Sequence, residues 1–161
     1  MDIEYRENCL SPEDFIRLRI AVGRVATPLP QAETALQAGL YNVTAFCEEK
    51  AVGMGRLVGD GAMYWYIQDM AVLPEYQGKG IGKNIVKRLL QYIYLHTSAG
   101  TFTTVGLMAA KGREGFYKKL GFEMRPDDHS GAGMIRYIEN NDQHESKIPG
   151  FLSAFGLCFV S

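Results

Sequence analysis

A glycine-rich bend separates an apolar, strand-like run from an amphipathic, helix-like run. Residues 77–83 read Gln-Gly-Lys-Gly-Ile-Gly-Lys, with three glycines at alternate positions, and the helical pattern starts near Ile81. Glycine readily adopts the left-handed backbone that such a bend needs. Its N–H groups then point into one concavity, beside the positive end of the following helix dipole. The bend therefore predicts a pyrophosphate-binding site.

Two well-known phosphate loops do not fit this bend. A P-loop needs a serine or threonine after Gly-Lys, but Asn84 follows Lys83, and Gln77 stands where the first glycine belongs. A Rossmann fingerprint counted from Gly78 needs its third glycine at position 83, which is lysine. A nucleoside triphosphatase and a dinucleotide-binding domain are therefore disfavoured.

The bend resembles the pyrophosphate loop of the GNAT superfamily of acyl-CoA-dependent N-acetyltransferases, Gln/Arg-x-x-Gly-x-Gly/Ala. Gln77, Gly80 and Gly82 occupy its three defining positions. The flanking segments agree as well, with Asp-Met-Ala-Val-x-Pro-x-Tyr-Gln at 69–77 and Phe-Tyr-Lys-Lys-Leu-Gly-Phe at 116–122. With these partners in the right order, the loop becomes a specific signal for this superfamily.

The resemblance implies a single acetyltransferase domain over residues 1–140. Residues 141–161 then form a polar joint and an apolar C-terminal tail, whose segment 148–160 is too short to span a bilayer. We expect the tail to add a strand or to dock on the core or on a second subunit, which makes a homodimer possible. A tail that contacts a membrane is the alternative.

The hydrophobic periodicity predicts an α/β (α+β) fold with a mixed central sheet of six or seven strands and four helices. The strands are expected at 3–7, 41–47, 50–58, 63–73, 104–109, 122–125 and 134–139. The helices are expected at 12–22, 31–38, 81–93 and 112–120. The GNAT resemblance further implies a splayed strand pair, formed by 63–73 and 104–109.

Net charge, cysteine content and the N-terminal sequence restrict the expected binding partners and cellular compartment. A formal net charge of −1 over 161 residues gives no field for nucleic acid or for an anionic membrane surface. Cys9, Cys47 and Cys158 show neither metal-ligand spacing nor a disulfide framework, so we expect no metal and a reducing compartment. The N-terminus lacks the apolar core of a signal peptide. A cytoplasmic protein is the expectation.

The resemblance implies that acetyl-CoA is the co-substrate. Loop amides would hold its pyrophosphate, with Lys79 or Lys83 adding charge, and strand backbone would pair with the pantetheine amides. The Met70 N–H would face the thioester carbonyl as an oxyanion donor. The expected cofactor-binding residues are Met70, Ala71, Val72, Gln77, Gly78, Lys79, Gly80, Ile81, Gly82, Lys83, Lys111 and Tyr117.

The chain departs from the family pattern at Ala110, where many members carry an asparagine that contacts the cofactor. That contact is either lost or supplied by Lys111 or Arg113.

By the same resemblance, Tyr117 is the expected general acid. A phenol with a pKa of about 10 stays protonated at neutral pH and can donate to a departing thiolate, whose conjugate acid has a pKa of about 8.5. A tyrosine that is merely packed or hydrogen-bonded is the competing interpretation.

Asp69 is the leading candidate for the general base. Strict alternation from Met63 places it on the face of Trp65, Ile67 and Ala71, unless a β-bulge turns it elsewhere. A structural role, hydrogen-bonded to the first helix, is equally open. The other candidate bases are Gln68, Glu33 and the cluster Asp127, Asp128 and His129.

The expected reaction is acetyl transfer from acetyl-CoA to a primary amine of a small molecule by direct attack. Tyr64, Trp65, Tyr66 and the loop with Pro28 and Pro30 suggest an enclosed aromatic pocket rather than a groove for a peptide. Acetylation of protein lysines or N-termini, and CoA binding without catalysis, are the alternatives.

Overall fold

The computed structural model describes residues 2–138, and these contain a five-stranded mixed sheet and four α-helices. The strands are β1 (Glu4–Glu7), β2 (Tyr41–Cys47), β3 (Lys50–Gly59), β4 (Tyr64–Val72) and β5 (Thr104–Gly106). The helices are α1 (Pro12–Ala21), α2 (Leu29–Gln37), α3 (Ile81–His96) and α4 (Glu114–Lys118). A single turn of 3₁₀ helix, Pro74–Tyr76, joins β4 to the glycine-rich bend.

The sheet order follows the chain, β1-β2-β3-β4-β5, and only the β4–β5 pair is parallel. The β2–β3 hairpin has a two-residue turn in which Glu48 and Glu49 both have positive φ angles, 48° and 63°. Such turns match the twist of the flanking strands. The first three strand pairings are therefore local, whereas β5 is reached through the long helix α3.

Helices cover both faces of the sheet. Gly53 and Gly55 of β3 leave room for Ile81, Ile85 and Leu89 of α3, because added Cβ atoms there would meet those side chains at 2.8–3.3 Å. On the opposite face, Arg56 donates to the Ala35 carbonyl of α2 at 2.9 Å and its guanidinium lies over the Phe15 ring of α1. The main core residues are Phe15, Leu18, Val43, Val52, Met54, Leu57, Ile81, Ile85, Val86 and Leu89.

The prediction of six or seven strands is wrong for the described residues, which form five. No strand occurs within 122–125 or 134–138, and residue 139 lies outside the described chain. Apolar alternation is necessary for a strand but does not supply a hydrogen-bonding partner. Met134, Ile135, Tyr137 and Ile138 are all more than half exposed, so no core is built on them.

The chain divides into two compact units after Glu123. The first unit carries all the described helices and strands, and the second is described only from Met124 to residue 138. The predicted boundary at 140 and the apolar tail at 148–160 lie outside the described residues. Over 2–138, no helix has the length and apolar character that crossing a membrane would require.

Candidate active site

The parallel pair β4–β5 opens into a cleft. Register pairs join Tyr64 to Thr104 and Tyr66 to Gly106, after which β5 ends while β4 continues to Val72. The strand predicted at 104–109 is therefore shorter, and residues 107–110 are irregular. The cleft that starts at this divergence has a volume of about 790 Å³.

Backbone groups of β4 line this opening. The Leu73 N–H donates to the Val52 carbonyl of β3 at 2.9 Å, so its polar groups point away from the cleft. Alternation then directs the backbone groups of Val72 and Met70 to the open side. Beyond Tyr66 the described strands offer them no ladder partner, which leaves an extended edge that can pair with a ligand amide.

Most of the predicted site residues line this one cleft. They are Asp69, Met70, Ala71, Val72, Gln77, Gly78, Gly80, Ile81, Gly82, Lys83 and Tyr117. Two others do not line it. Lys79 donates to the Glu75 carbonyl at 2.9 Å and lies over the Tyr76 ring, and Lys111 is exposed.

The glycine-rich bend has the backbone that an anion site needs. Gly78 and Gly80 have positive φ angles, 75° and 81°, although a Cβ at either position would meet nothing within 4 Å. Glycine is required there for conformation and not for space. Gly80 is also the N-cap of the 16-residue helix α3, which has neither a side-chain cap nor an acidic residue in its first turn. The first N–H groups of α3 are therefore open to an anion.

A β-bulge at Asp69 changes the face of the sheet on which this residue lies. Ala71 pairs with Met54 and Gln68 with Arg56, so Asp69 and Met70 together oppose Gly55, and Asp69 has a φ of 52°. Trp65 packs against Tyr92 of α3. Asp69, by contrast, bonds to Arg19 of α1 and Arg56 of β3. Strict alternation therefore fails at Asp69, and the exception allowed for it, a β-bulge, places this residue on the opposite face from Trp65.

The carboxylate of Asp69 is held by two guanidinium groups. One oxygen accepts from Arg19, and the other accepts from Arg56 at 2.7 Å. The Asp69 side chain is 4% exposed, and those of Arg19 and Arg56 are 20% and 12% exposed. The ion triad ties the bulge to α1 and satisfies both oxygens of a buried acid, so this geometry favours the structural role of Asp69 over a base.

Tyr117 projects from α4 into the cleft. Its ring makes edge contacts with Phe116 and Phe122 at centroid distances of 4.9 and 5.9 Å. Burial raises the pKa of the Tyr117 phenol, and the positive charge of Arg24 partly opposes that rise in pKa. The hydroxyl is therefore protonated throughout the neutral range, as an acid must be.

Two consecutive side-chain hydrogen bonds connect β4, Gln77 and Arg113 at the end of the cleft beside the glycine-rich bend. The Gln77 Nε2 donates to the Val72 carbonyl at 2.9 Å, and Arg113 donates through Nη2 to the Gln77 Oε1 at 3.2 Å. Ala110 also lines the cleft, one turn before Arg113. Of the two predicted substitutes for the missing asparagine, Arg113 lies in the cleft and Lys111 does not.

Three arginines of the cleft wall and of the Asp69 ion triad were not predicted from the sequence. Arg24 lines the cleft but belongs to a loop without a motif, and Arg19 and Arg56 are distant in sequence from Asp69. The only local signal for Arg24 is Gly23, a glycine directly after a helix.

The enclosed aromatic pocket predicted around Trp65 is wrong. Trp65 is buried against Tyr92, and Tyr64 is 60% exposed. Tyr64, Trp65, Tyr66 and the loop with Pro28 and Pro30 are all absent from the lining of the cleft. Of the other candidate bases in this unit, Gln68 lines the cleft and Glu33 does not.

Comparisons with known proteins agree with this geometry. The family model of the acetyltransferase (GNAT) domain matches residues 40–124. A probable acetyltransferase from meticillin-resistant Staphylococcus aureus is 32% identical, with a TM-score of 0.74 over 84% of this chain and all of that one. The uncharacterized N-acetyltransferase ycf52 of Pyropia yezoensis is 30% identical over 80% of this chain and 78% of its own length.

Some relatives are much longer than this chain. The chloroplastic GCN5-related N-acetyltransferase 2 of Arabidopsis thaliana is 38% identical over 52% of this chain, but the match spans only 31% of that protein. The similarity to that relative is therefore similarity to a part of it.

Proposed function

Since the chain belongs to the GNAT family of acetyltransferases, we propose that it transfers the acetyl group of acetyl-CoA to a primary amine of a small molecule. The observation that supports this most is the extended edge of β4, which opens beside Tyr117 and ends at the glycine-rich bend. A thioester ligand with amides along its length and a pyrophosphate at its end matches these three features in order.

The residues present fit such a ligand. The N–H groups around Gly78, Gly80 and the start of α3 would hold the pyrophosphate, with Lys83 and Arg113 as cations beside them. The Val72 and Met70 backbone groups would bond to the pantetheine amides, once the Gln77 amide releases the Val72 carbonyl. When bound, acetyl-CoA supplies the activated acetyl group.

The remaining chemistry belongs to the protein. The Met70 N–H would stabilise negative charge on the thioester oxygen, an effect that is typically about 2.7–4 kcal/mol. As the amine nitrogen bonds to the acetyl carbon and the carbon–sulfur bond breaks, Tyr117 would give its proton to the sulfur. An alkylamine is about one part in a thousand uncharged at pH 7, so the amine must also lose a proton.

The base that takes this proton is not assigned to Asp69 in our proposal. Both oxygens of Asp69 accept bonds from guanidinium groups, and a proton on either would disrupt an ion pair. Loss of the ammonium proton to water at the open side of the cleft requires no further protein group.

Replacing Tyr117 with phenylalanine tests this proposal. Tyr117→Phe removes the acid but keeps the ring contacts with Phe116 and Phe122, so kcat should fall about 100-fold or more, without a matching change in the KM for acetyl-CoA. Tyr94→Phe is the control, because Tyr94 is 79% exposed on α3 and does not line the cleft. The readout is CoA thiol release with a panel of amines, amino sugars and peptides.

Three outcomes would contradict parts of the proposal. Loss of less than about threefold in kcat for Tyr117→Phe would remove the acid assignment. Turnover of peptides alone would favour a protein acetyltransferase. Binding of acetyl-CoA without turnover of any amine would favour a non-catalytic CoA-binding protein.

The compartment and the oligomeric state remain proposals. We retain the cytoplasm, although the relatives include a chloroplastic protein. The proposed homodimer depends on the apolar tail, which lies outside the described residues.

A further inference from the structure

The cleft carries an excess of positive charge, although the whole chain has a formal net charge of −1. Among the described residues that line it, Arg24, Lys83 and Arg113 are cationic and Asp69 is the sole carboxylate. The Asp69 carboxylate does not neutralise these cations, because its two oxygens already accept from Arg19 and Arg56. The uncompensated positive charge of the cleft therefore favours ligands that carry anionic groups.

The cations fall at two places. Arg113 bonds to Gln77 of the bend, and Lys83 lies in the first turn of α3, so both belong to the end that we assign to the pyrophosphate. Arg24 lies elsewhere, because its N–H bonds to the Arg19 carbonyl at the end of α1, and the Arg19 side chain bonds to Asp69, next to Met70. Arg24 lines the same cleft as Tyr117, and its charge opposes the rise in the pKa of that phenol. That phenol marks the reacting end of the cleft, where the acceptor amine must lie. The pyrophosphate therefore leaves the charge of Arg24 unbalanced.

The backbone of Arg24 is held in place by the end of α1. The Gly23 N–H donates to the Ile20 carbonyl at 2.9 Å, and the Arg24 N–H donates to the Arg19 carbonyl at 3.0 Å. With Gly23 at a φ of 80°, these two bonds form a Schellman motif. Arg24 is thus the first residue after a defined helix cap, at a set position on the cleft wall.

Among residues 2–138, Arg24 forms no ion pair. Within residues 2–138, every ion pair that forms involves other cations, namely Arg6, Arg17, Arg19, Arg56 and Arg88. A guanidinium presents a planar fork of donors that suits a carboxylate or a phosphate. An exposed arginine of this kind is usually a solvated surface residue, but this one lines a cleft whose described residues include no carboxylate except the paired Asp69.

We propose that Arg24 binds an anionic group, a carboxylate or a phosphate, on the acceptor amine. The preferred acceptors are then small primary amines that carry such a group, and simple alkylamines or polyamines are poor substrates. This inference rests on the proposed acetyl transfer. It adds the chemical class of acceptor and the residue that selects it.

Matched pairs of amines test the proposal with the full chain and acetyl-CoA. 4-Aminobutyrate against butylamine examines the carboxylate, and phosphoethanolamine against ethanolamine examines the phosphate. We expect kcat/KM to favour the anionic member of at least one pair by about tenfold, mainly through the KM of the acceptor. The pair with the larger ratio identifies the anion.

Variants of Arg24 connect that preference to the residue. Arg24→Ala should reduce the ratio of kcat/KM between the anionic and the neutral amine to less than about threefold, while the KM for acetyl-CoA stays within about twofold of wild type. Arg24→Lys should retain part of the preference for the anionic amine. Lys87→Ala is the control, since Lys87 is exposed on α3 and does not line the cleft.

Two results would overturn the inference while leaving acetyl transfer intact. One is equal turnover of both members of each pair by the wild type. The other is an Arg24→Ala variant that raises the KM for acetyl-CoA instead of that of the acceptor. If no amine is turned over, the proposed function fails. Calorimetric binding of 4-aminobutyrate and phosphoethanolamine to wild type and Arg24→Ala in the presence of CoA then decides the role of Arg24 separately.

Discussion

The substitution Asp69→Asn would distinguish a structural role of Asp69 in the ion triad from a role as general base. The substitution removes the negative charge but keeps the shape of the side chain. It also suits the φ of 52°, because asparagine and aspartate tolerate left-handed backbone better than other residues that carry a Cβ. Any loss of stability in Asp69→Asn therefore reports the ion triad, with little contribution from backbone strain.

The magnitude follows from the burial of the triad. Asp69→Asn leaves the guanidinium groups of Arg19 and Arg56, which are 20% and 12% exposed, without a counter-ion. Breaking a buried ion pair in this way lowers the free energy of unfolding by about 3–5 kcal/mol. Because the asparagine amide oxygen can still accept one hydrogen bond, we expect a loss of about 3 kcal/mol. For a chain of this size, the melting temperature should fall by about 6–12 °C. Chemical denaturation and thermal unfolding monitored by circular dichroism measure both quantities.

A second substitution provides the internal control. Asp69→Asn combined with Arg56→Gln should lose less than the sum of the two single variants, since the double variant removes one of the unpaired charges. Our reasoning is refuted if Asp69→Asn unfolds within about 0.5 kcal/mol of wild type. If the folded variant at low temperature has also lost about 100-fold in kcat, Asp69 is the base and not a structural acid.

The remaining predictions concern the bend and the acid. Gly80→Ala should lose about 1–2 kcal/mol from left-handed strain and weaken acetyl-CoA binding, measured by denaturation and calorimetry. Gly82→Ala should be nearly neutral in both assays, because its new Cβ meets Phe116 and Val72 at ordinary distances of 3.6 and 3.7 Å, and equal losses in the two variants would contradict this account. Burial raises the pKa of Tyr117, so kcat should decline with increasing pH only above a pH of about 10. Since the charge of Arg24 opposes that rise in pKa, the decline in Arg24→Ala should begin at a higher pH than in the wild type. A decline that begins at a lower pH would show that Arg24 does not act on this phenol.

Much of this fold could be predicted from neighbouring residues. The hairpin between β2 and β3 and the helix α3 depend on short-range patterns, and the structure has both where they were expected. The start of α1 is equally local, since Ser11 directly precedes the helix and its side chain accepts from the Asp14 N–H at 3.1 Å. The family, too, could be identified from the spacing of Gln77, Gly80 and Gly82, because a phosphate loop is a contiguous piece of backbone.

Features that depend on residues distant in sequence could not be predicted from short-range patterns. The apolar alternation near residues 134–138 predicted a strand, but a strand also needs a partner edge, which periodicity does not encode. The bulge at Asp69 reversed the face expected from alternation, since one extra residue on β4 shifts the pattern by half a period. The aromatic residues around Trp65 were expected at the acceptor site, yet Trp65 packs on the α3 side of the sheet.

The amino-acid order was therefore sufficient for the family, the bend and most of the elements, since each depends on contacts within a few residues. The charge of the cleft depends on the assembled fold. Arg19 and Arg56 neutralise Asp69 from positions 50 and 13 residues away, and the cap of α1 brings Arg24 to the same cleft as Tyr117. Electrostatic interactions act through space and not along the chain, so only the packed structure reveals which charges remain available for a ligand.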